Sequence, residues 1–446
     1  MTALRFIRPI IRRRAVPIGI GTLMIVFGAA GPEAPSASAK TFVVNKRGDP
    51  PPEKCTKGHC TLREAVIRAN KDPNADRIVL PKRKPYRLRR LPDPLRPEQT
   101  GDLNVTGPVT IAHSGRGRAK IDAGCRDRIF DSDARLALRK LVLRGGCSEG
   151  SGGAILSRAN LRVIRSRVVD NESAAGAGGI RAGLSATVTL RRTTIARNSA
   201  NGRGGGVSFN GERLRIVVSR IAGNHAGCEG VCVAIEPLEG GGIYSSSPAT
   251  IRRSTISGNV ANDQGGGIAN ADELTVVNST IAGNRTDASG GGIYGAPGTL
   301  TGLNGVTIAR NRADADNSDP DSGGGIYADG GSDVVEARNT LLARNRATDG
   351  SAQDCFAPAP VGFTSLGGNL VTSAAGNCDA FFNHPEDLLR PQPRIGKLRR
   401  NGGPTATIAL RKGSPAINQA DAPGAPKRDQ RGVRRANPDI GAYERR

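Results

Sequence analysis

Between residues 151 and 350, short runs of alternating apolar and polar positions recur, each too brief for a helix. The unit GGGIYSSSPATIRRSTISGN at 240–259 holds about three such runs, rich in Ile and Thr and bounded by Gly, Ser and Asn. That is the pattern of short strands separated by turns. The apolar residue following the glycines falls at Ile155, Ile180, Val207, Ile243, Ile268, Ile293 and Ile326. The Asn closing the companion phrase falls at Asn171, Asn198, Asn224, Asn259, Asn284, Asn311 and Asn345. Both series advance by 25 to 27 residues, except where CEGVCVAIEPLE and RADADNSDPD lengthen a unit. Two phrases on one beat predict a repeat architecture with two inserted loops.

Three strands in so short a unit leave open edges if laid flat. Wound as a coil, each strand pairs with its equivalent in the next unit, at the spacing of about 4.8 Å that sheets adopt. The sequence therefore predicts an all-β parallel β-helix. Period-two alternation turns Ile256 inward, with Ile195, Ile221, Ile281, Ile308 and Leu342 at equivalent places, so an aliphatic ladder is expected. Each closing Asn is expected at a turn, bonding to its equivalents above and below and accepting a left-handed backbone. The glycines are expected where one coil's backbone closely approaches the next. Neither a leucine-rich LxxLxL pattern nor a five-residue period is present.

The flanks divide the chain further. Residues 1–39, with Arg5, Arg8, Arg12, Arg13 and Arg14 before an apolar run and Ala37-Ser38-Ala39 at its end, are expected to be a signal peptide. Residues 40–95 are read as an N-terminal cap whose CTLREAVIRAN segment, with Leu62, Ala65, Val66 and Ala69 at helical spacing, forms one short helix. Irregular first coils over 96–150, regular coils over 151–350, and terminal coils with a C-terminal cap over 351–446 complete the division. No later stretch reaches the length of a transmembrane span.

Composition narrows the class. Gly makes up 60 of 446 residues, Trp is absent, and there are nine Phe and five Tyr, which suits a narrow interior of small aliphatic side chains. The formal net charge of +24 favours polyanions: an acidic polysaccharide or an envelope polymer. No motif for specific nucleic-acid binding is present. Eight cysteines follow residue 39, an even number in neighbouring pairs that suits an exported protein. The expected pairs are Cys55 with Cys60, Cys125 with Cys147, Cys228 with Cys232, and Cys355 with Cys378. Zinc lacks a second ligand pair near Cys228 and Cys232, and no metal or cofactor is expected.

CTLREAVIRAN, GDLNVTGPVTI, IDAG and the GGGI and STISGN phrases, with GSPAINQAD, DQRG and DIGAYE near the other end, resemble one family in particular. It comprises secreted bacterial right-handed parallel β-helix proteins with a CSLREA-type N-terminal motif and a choice-of-anchor Q type domain. The resemblance covers almost all of residues 41–444 and implies a right-handed coil and a secreted or cell-surface protein; the terminal caps, by covering the open strand edges, are expected to keep it monomeric. Thr61 stands where the family has Ser, and Asn418 and Gln419 where it usually has Asp and Ala. Activity is not implied. The closing Asp421, Asp429, Asp439 and Glu444, with Arg431, are read as a cap held by ion pairs and turn amides.

Candidate chemistry comes from columns on the outside of the coil. The residue after the GGGI anchor gives Tyr244, Tyr294 and Tyr327, which would stack on sugar rings, together with Arg181. The residue before the closing Asn gives Arg197, Arg310 and Arg344. Asp314, Asp316, Asp319 and Asp321 cluster in an inserted loop. No compact acid pair is visible on adjacent units. The main expectation is therefore a noncatalytic adhesion or glycan-binding module for acidic polymers; the alternative is a polysaccharide lyase or glycoside hydrolase working along the groove.

Overall fold

Alternating positions close into stacked coils in the computed structural model, which describes residues 38–82, 84–183, 185–227, 236–314, 323–330, 334–347, 354–358, 362–373, 378–389 and 391–446. One coil runs through Ile155–Ser157, Leu161–Ile164, Arg167–Val169 and Glu172–Ser173 before the chain returns at Ile180–Gly183. Within the coil, strands pair in parallel with their counterparts one coil on, so Ile155 lies opposite Ile180 and Leu161 opposite Val188. The four strand positions stack into sheets of 10, 12, 12 and 8 strands, here called C, A, B and D in the order one coil visits them. The sequence pattern gives the first three; the fourth is a two-residue strand just after the closing Asn, too short to have its own periodicity.

The aliphatic ladder is present. Ile195, Ile221, Ile256, Ile281, Ile308 and Leu342 pair in register along sheet B, and all are fully buried. Each contributes about 2 kcal/mol of apolar burial that a single coil could not provide. The Asn column is a second buried ladder. The Asn259 Oδ1 accepts from the backbone N–H (3.0 Å) and Nδ2 (2.9 Å) of Asn224, while its own Nδ2 donates to Asn284 Oδ1 (2.9 Å) and the Ile221 carbonyl (3.2 Å). The left-handed backbone, however, sits one residue earlier than expected. Arg197, Gly223, Gly258, Gly283, Arg310 and Arg344 have φ between 53° and 64°, because the Asn is fully engaged in the ladder and the turn is made before it. The GGGI glycines do mark close approach: a Cβ on Gly241 would meet the Val260 carbonyl oxygen at 2.2 Å.

At the N-terminal end, helix α1 (Leu62–Asn70) packs Leu62, Ala65, Val66 and Ala69 onto the core. The CTLREA residues each have a task. Thr61 is the N-cap, its Oγ1 accepting from Glu64 N (3.2 Å) while Glu64 Oε2 accepts from Thr61 N (2.8 Å). Ser would cap equally well. Arg63, fully buried, forms a two-pronged pair with Asp49 and donates to the carbonyls of Thr100, Gly101 and Asp102, tying the helix to the first coils.

The closing segment lies along the side of the coil. Its antiparallel hairpin, Ile395–Arg399 with Thr407–Leu410, places Ile395, Ile408 and Leu410, joined by Ala416 and Ile440 further on, in one cluster with Ala282, Ala309, Leu341 and Ala343 of sheet B. The sheet is prepared for this. Its outward column reads Arg167, Thr194 and Arg220, then changes to Thr255, Thr280, Thr307 and Leu341 where the segment docks. Gln430, fully buried, bonds to Thr255, Thr280 and Thr405, while Asp429 accepts from the backbone N–H of Arg431, Gly432 and Val433. Disulfides join Cys55 to Cys60, Cys125 to Cys147 and Cys355 to Cys378. Residues 1–37, Cys228, Cys232, Asp316, Asp319 and Asp321 lie outside the described residues.

Candidate polyanion-binding site

Sheet A leaves its outer face open over the first half of the coil. Strands such as LRVI and TVTLR bury every second residue, Leu161 and Val163 or Val188 and Leu190, so the intervening side chains must point outward. Among them are Arg139, Arg162 and Arg191, with Arg165 and Arg192 at the corner towards sheet B, both at φ 52°. These five arginines line a hollow of about 330 Å³ together with Thr110, Ala137 and Ile164. A neighbouring hollow of about 630 Å³ shares Thr110, Arg139, Ile164 and Arg165 and adds Lys40, Arg77 and Lys140, so the two form one groove. The one carboxylate lining it is Asp76, which is buried and accepts from the Lys40 backbone N–H at 2.6 Å. Lys40 is paired with Asp72 at 2.5 Å, and the remaining cations outnumber the carboxylates, the electrostatic setting that attracts an anion.

The columns expected from the sequence lie elsewhere. Tyr244, Tyr294 and Tyr327 share the outward column of sheet C, and each ring has at least one face against a neighbouring side chain. Tyr294 stacks on Tyr327 at 5.9 Å between ring centres, Tyr327 on Phe356 at 5.7 Å, and the Arg203 guanidinium lies 4.8 Å from the Tyr244 ring centre. Tyr294 is only 7% exposed, and its hydroxyl, bonded to Asp329, is held protonated by burial and by that carboxylate. The column works as an aromatic ladder along the coil. Arg181 in the same column donates to Ser208 Oγ at 2.6 Å.

Arg197 is paired with Asp170 at 2.7 Å. Arg310 and Arg344 do come together, with Arg312 and Arg346, around a hollow of about 380 Å³. Burial, with Arg344 and Arg411 nearby, lowers the Arg310 pKa, and its Nη2 donates to the Gly396 carbonyl. Asp314 is buried, at φ 46°.

One acidic grouping escaped the sequence reading. Arg128 Nη1 lies 3.1 Å from Asp102 Oδ2 and 3.0 Å from Asp131 Oδ2. Asp127 Oδ2 accepts from the Asp102 backbone N–H. Burial, with Asp127 and Asp131 close by, pushes the Asp102 carboxyl up to about 7 against the pull of Arg128 and Arg63. Its members are scattered through irregular coils, so no column exposes them. Among the described residues no group of three or more His, Cys, Asp or Glu is arranged to hold a metal ion, and no helix is long and apolar enough to cross a membrane.

No protein-family model matches this chain, and no curated protein resembles it in sequence. Among solved structures, a crystal structure of pectate lyase Pel9A is similar over 92% of this chain and 97% of that one, with a TM-score of 0.50 and 15% identity. The likeness establishes the fold: a right-handed parallel β-helix.

Proposed function

We propose that this protein holds an acidic polysaccharide, of the polyuronate class, in the arginine-lined groove of sheet A and acts on it as a polysaccharide lyase. The observation that carries the proposal is the run of Arg139, Arg162, Arg165, Arg191 and Arg192 around one groove lined by a single, buried carboxylate. Elimination from a uronate needs two things such a groove supplies. Guanidiniums paired with the sugar carboxylate stabilise the charge that develops on it when the neighbouring C5 proton leaves. A further basic side chain in its neutral form takes that proton, the C5–H electrons form the C4–C5 double bond as the C4–O bond breaks, and the departing glycosidic oxygen takes a proton from water. The fold shared with a pectate lyase supports this reading. Secretion, and kinship with the CSLREA-type proteins, belong to the same proposal; the disulfides support the first, and the placement of Thr61, Arg63 and Glu64 supports the second.

Hydrolysis is a second reading, favoured by Asp102. A carboxyl with a pKa of about 7 beside Asp131 has the protonation state of a general acid at neutral pH. The test is incubation with polygalacturonate, followed by ultraviolet absorbance of unsaturated ends, a reducing-end assay and a binding titration. Unsaturated product supports the lyase. Reducing ends without unsaturation, lost in Asp102→Asn, support hydrolysis. Salt-sensitive binding without product leaves a noncatalytic binder, and absence of binding sinks the groove assignment.

A further inference from the structure

The arginines on sheet A are not a random patch. Two outward positions recur on every coil here, and the register aligns them into two columns; a third position, at the start of the longer strands, carries Thr187 and Arg213. The first column runs Thr110, Ala137, Arg162, Thr189, Arg215, Thr250 and Thr275. The second runs Ala112, Arg139, Ile164, Arg191, Val217, Arg252 and Val277. On five successive coils one column carries an arginine and the other an uncharged residue, and the arginine changes column at every step. The order along the axis is Arg139, Arg162, Arg191, Arg215, Arg252. All five are exposed, and among the described residues none makes an ion pair. The coil before carries Thr110 and Ala112, and the coil after carries Thr275 and Val277, so the zigzag has two ends.

Resting on the proposal that the groove takes a polyuronate, we infer that this zigzag is a register track for a 1,4-linked polyuronate in an extended ribbon, lying along the coil axis, one sugar per coil. Successive coils are about 4.8 Å apart, close to the length of one 1,4-linked sugar. Arginines of one column therefore recur at about 9.6 Å, two coils on. In an extended 1,4-linked ribbon, neighbouring sugars are flipped, so their carboxylates project from alternate edges. The edges meet alternate arginines, each able to hold a carboxylate by two hydrogen bonds. Between the arginines, Ala137, Ile164, Thr189, Val217 and Thr250 form an uncharged floor for the sugar rings. A nucleic-acid duplex strand does not match this spacing: its phosphates advance by about 3.4 Å per residue, against about 4.8 Å per coil. The footprint is five sugars.

Calorimetric titration of the full chain with oligogalacturonates of two to eight sugars tests the inference. Affinity is expected to rise by roughly 2- to 5-fold per added sugar, the range of an exposed ion pair, and to level off at five. In Arg252→Ala, at the end of the track, the plateau is expected at four; in Arg191→Ala, at the centre, all oligomers of five or more bind more weakly. Polyphosphate, heparin and single-stranded DNA of matched charge are expected to bind several-fold more weakly than the pentamer. If oligogalacturonates bind but the plateau does not move in Arg252→Ala, or if the other polyanions bind equally well, the track is overturned while the groove assignment stands. If no oligomer or polymer binds at all, both fall.

Discussion

Replacing Asn259 with Ala removes one rung of the buried ladder, and the coordinates set the cost. Asn259 is fully buried and its side chain makes four hydrogen bonds. Without it the backbone N–H of Asn224 loses its acceptor inside the coil, an orphan worth about 1–3 kcal/mol. The three other lost bonds leave partners that keep other contacts, such as Asn224 Nδ2 with the Ile195 carbonyl, and cost about 1 kcal/mol each. The sum is about 4–6 kcal/mol, a large share of the roughly 5–15 kcal/mol that stabilises a typical domain. Because coils touch only their neighbours, the loss concentrates on the coils beside residue 259. Urea unfolding followed by circular dichroism gives the total, and hydrogen exchange gives its position, expected over residues 220–290. A loss below about 1 kcal/mol, or exchange raised uniformly along the chain, would show that the Asn column does not hold the coils together.

The two glycine columns should respond differently. Gly241→Ala drives a Cβ into the Val260 carbonyl and is expected to abolish soluble expression, whereas Gly258→Ala, with open space but φ 61°, costs about 1–2 kcal/mol and folds. Equal behaviour in thermal melts would refute the close-approach role. Gln430→Ala strips bonds from Thr255, Thr280 and Thr405 and is expected to expose residues 395–446 to protease while the coil stays intact; simultaneous loss of both would contradict separate docking. Asp102, with its pKa raised from 3.8 to about 7, contributes stability that is complete below pH 3.8 and lost as pH rises through about 7. Denaturant midpoints are therefore expected to fall between about pH 4 and pH 8 in the wild type and to change less in Asp102→Asn. Parallel profiles would refute the assignment.

How much of this was legible depended on whether a feature repeats in place. The Ile256 ladder did, because burial demands the same residue type at the same step of every coil. The Asn column was legible as a ladder but not as the neighbour of the left-handed turn, since Arg310 and Arg344 at φ 57° and 60° give no sequence hint of that strain. The tyrosines were found, but their mutual stacking depends on ring orientation, which no column of letters records. The sheet A arginines were missed for the opposite reason: read one column at a time, an arginine appears in every other coil or less often, and the regularity emerges only when both columns are aligned. LRVI, LRRT and IRRS were the available signal. The docked closing segment joins residues about 150 apart, such as Thr280 and Gln430, and no local pattern reaches that far.

Arginine-selective chemical modification, read residue by residue by mass spectrometry with and without polygalacturonate, tests the assignment of the groove most directly. Protection of Arg139, Arg162, Arg191, Arg215 and Arg252, with Arg312 and Arg346 reacting unchanged, is the predicted outcome. Protection around the Arg310–Arg346 hollow instead, or no change at any arginine, would contradict it.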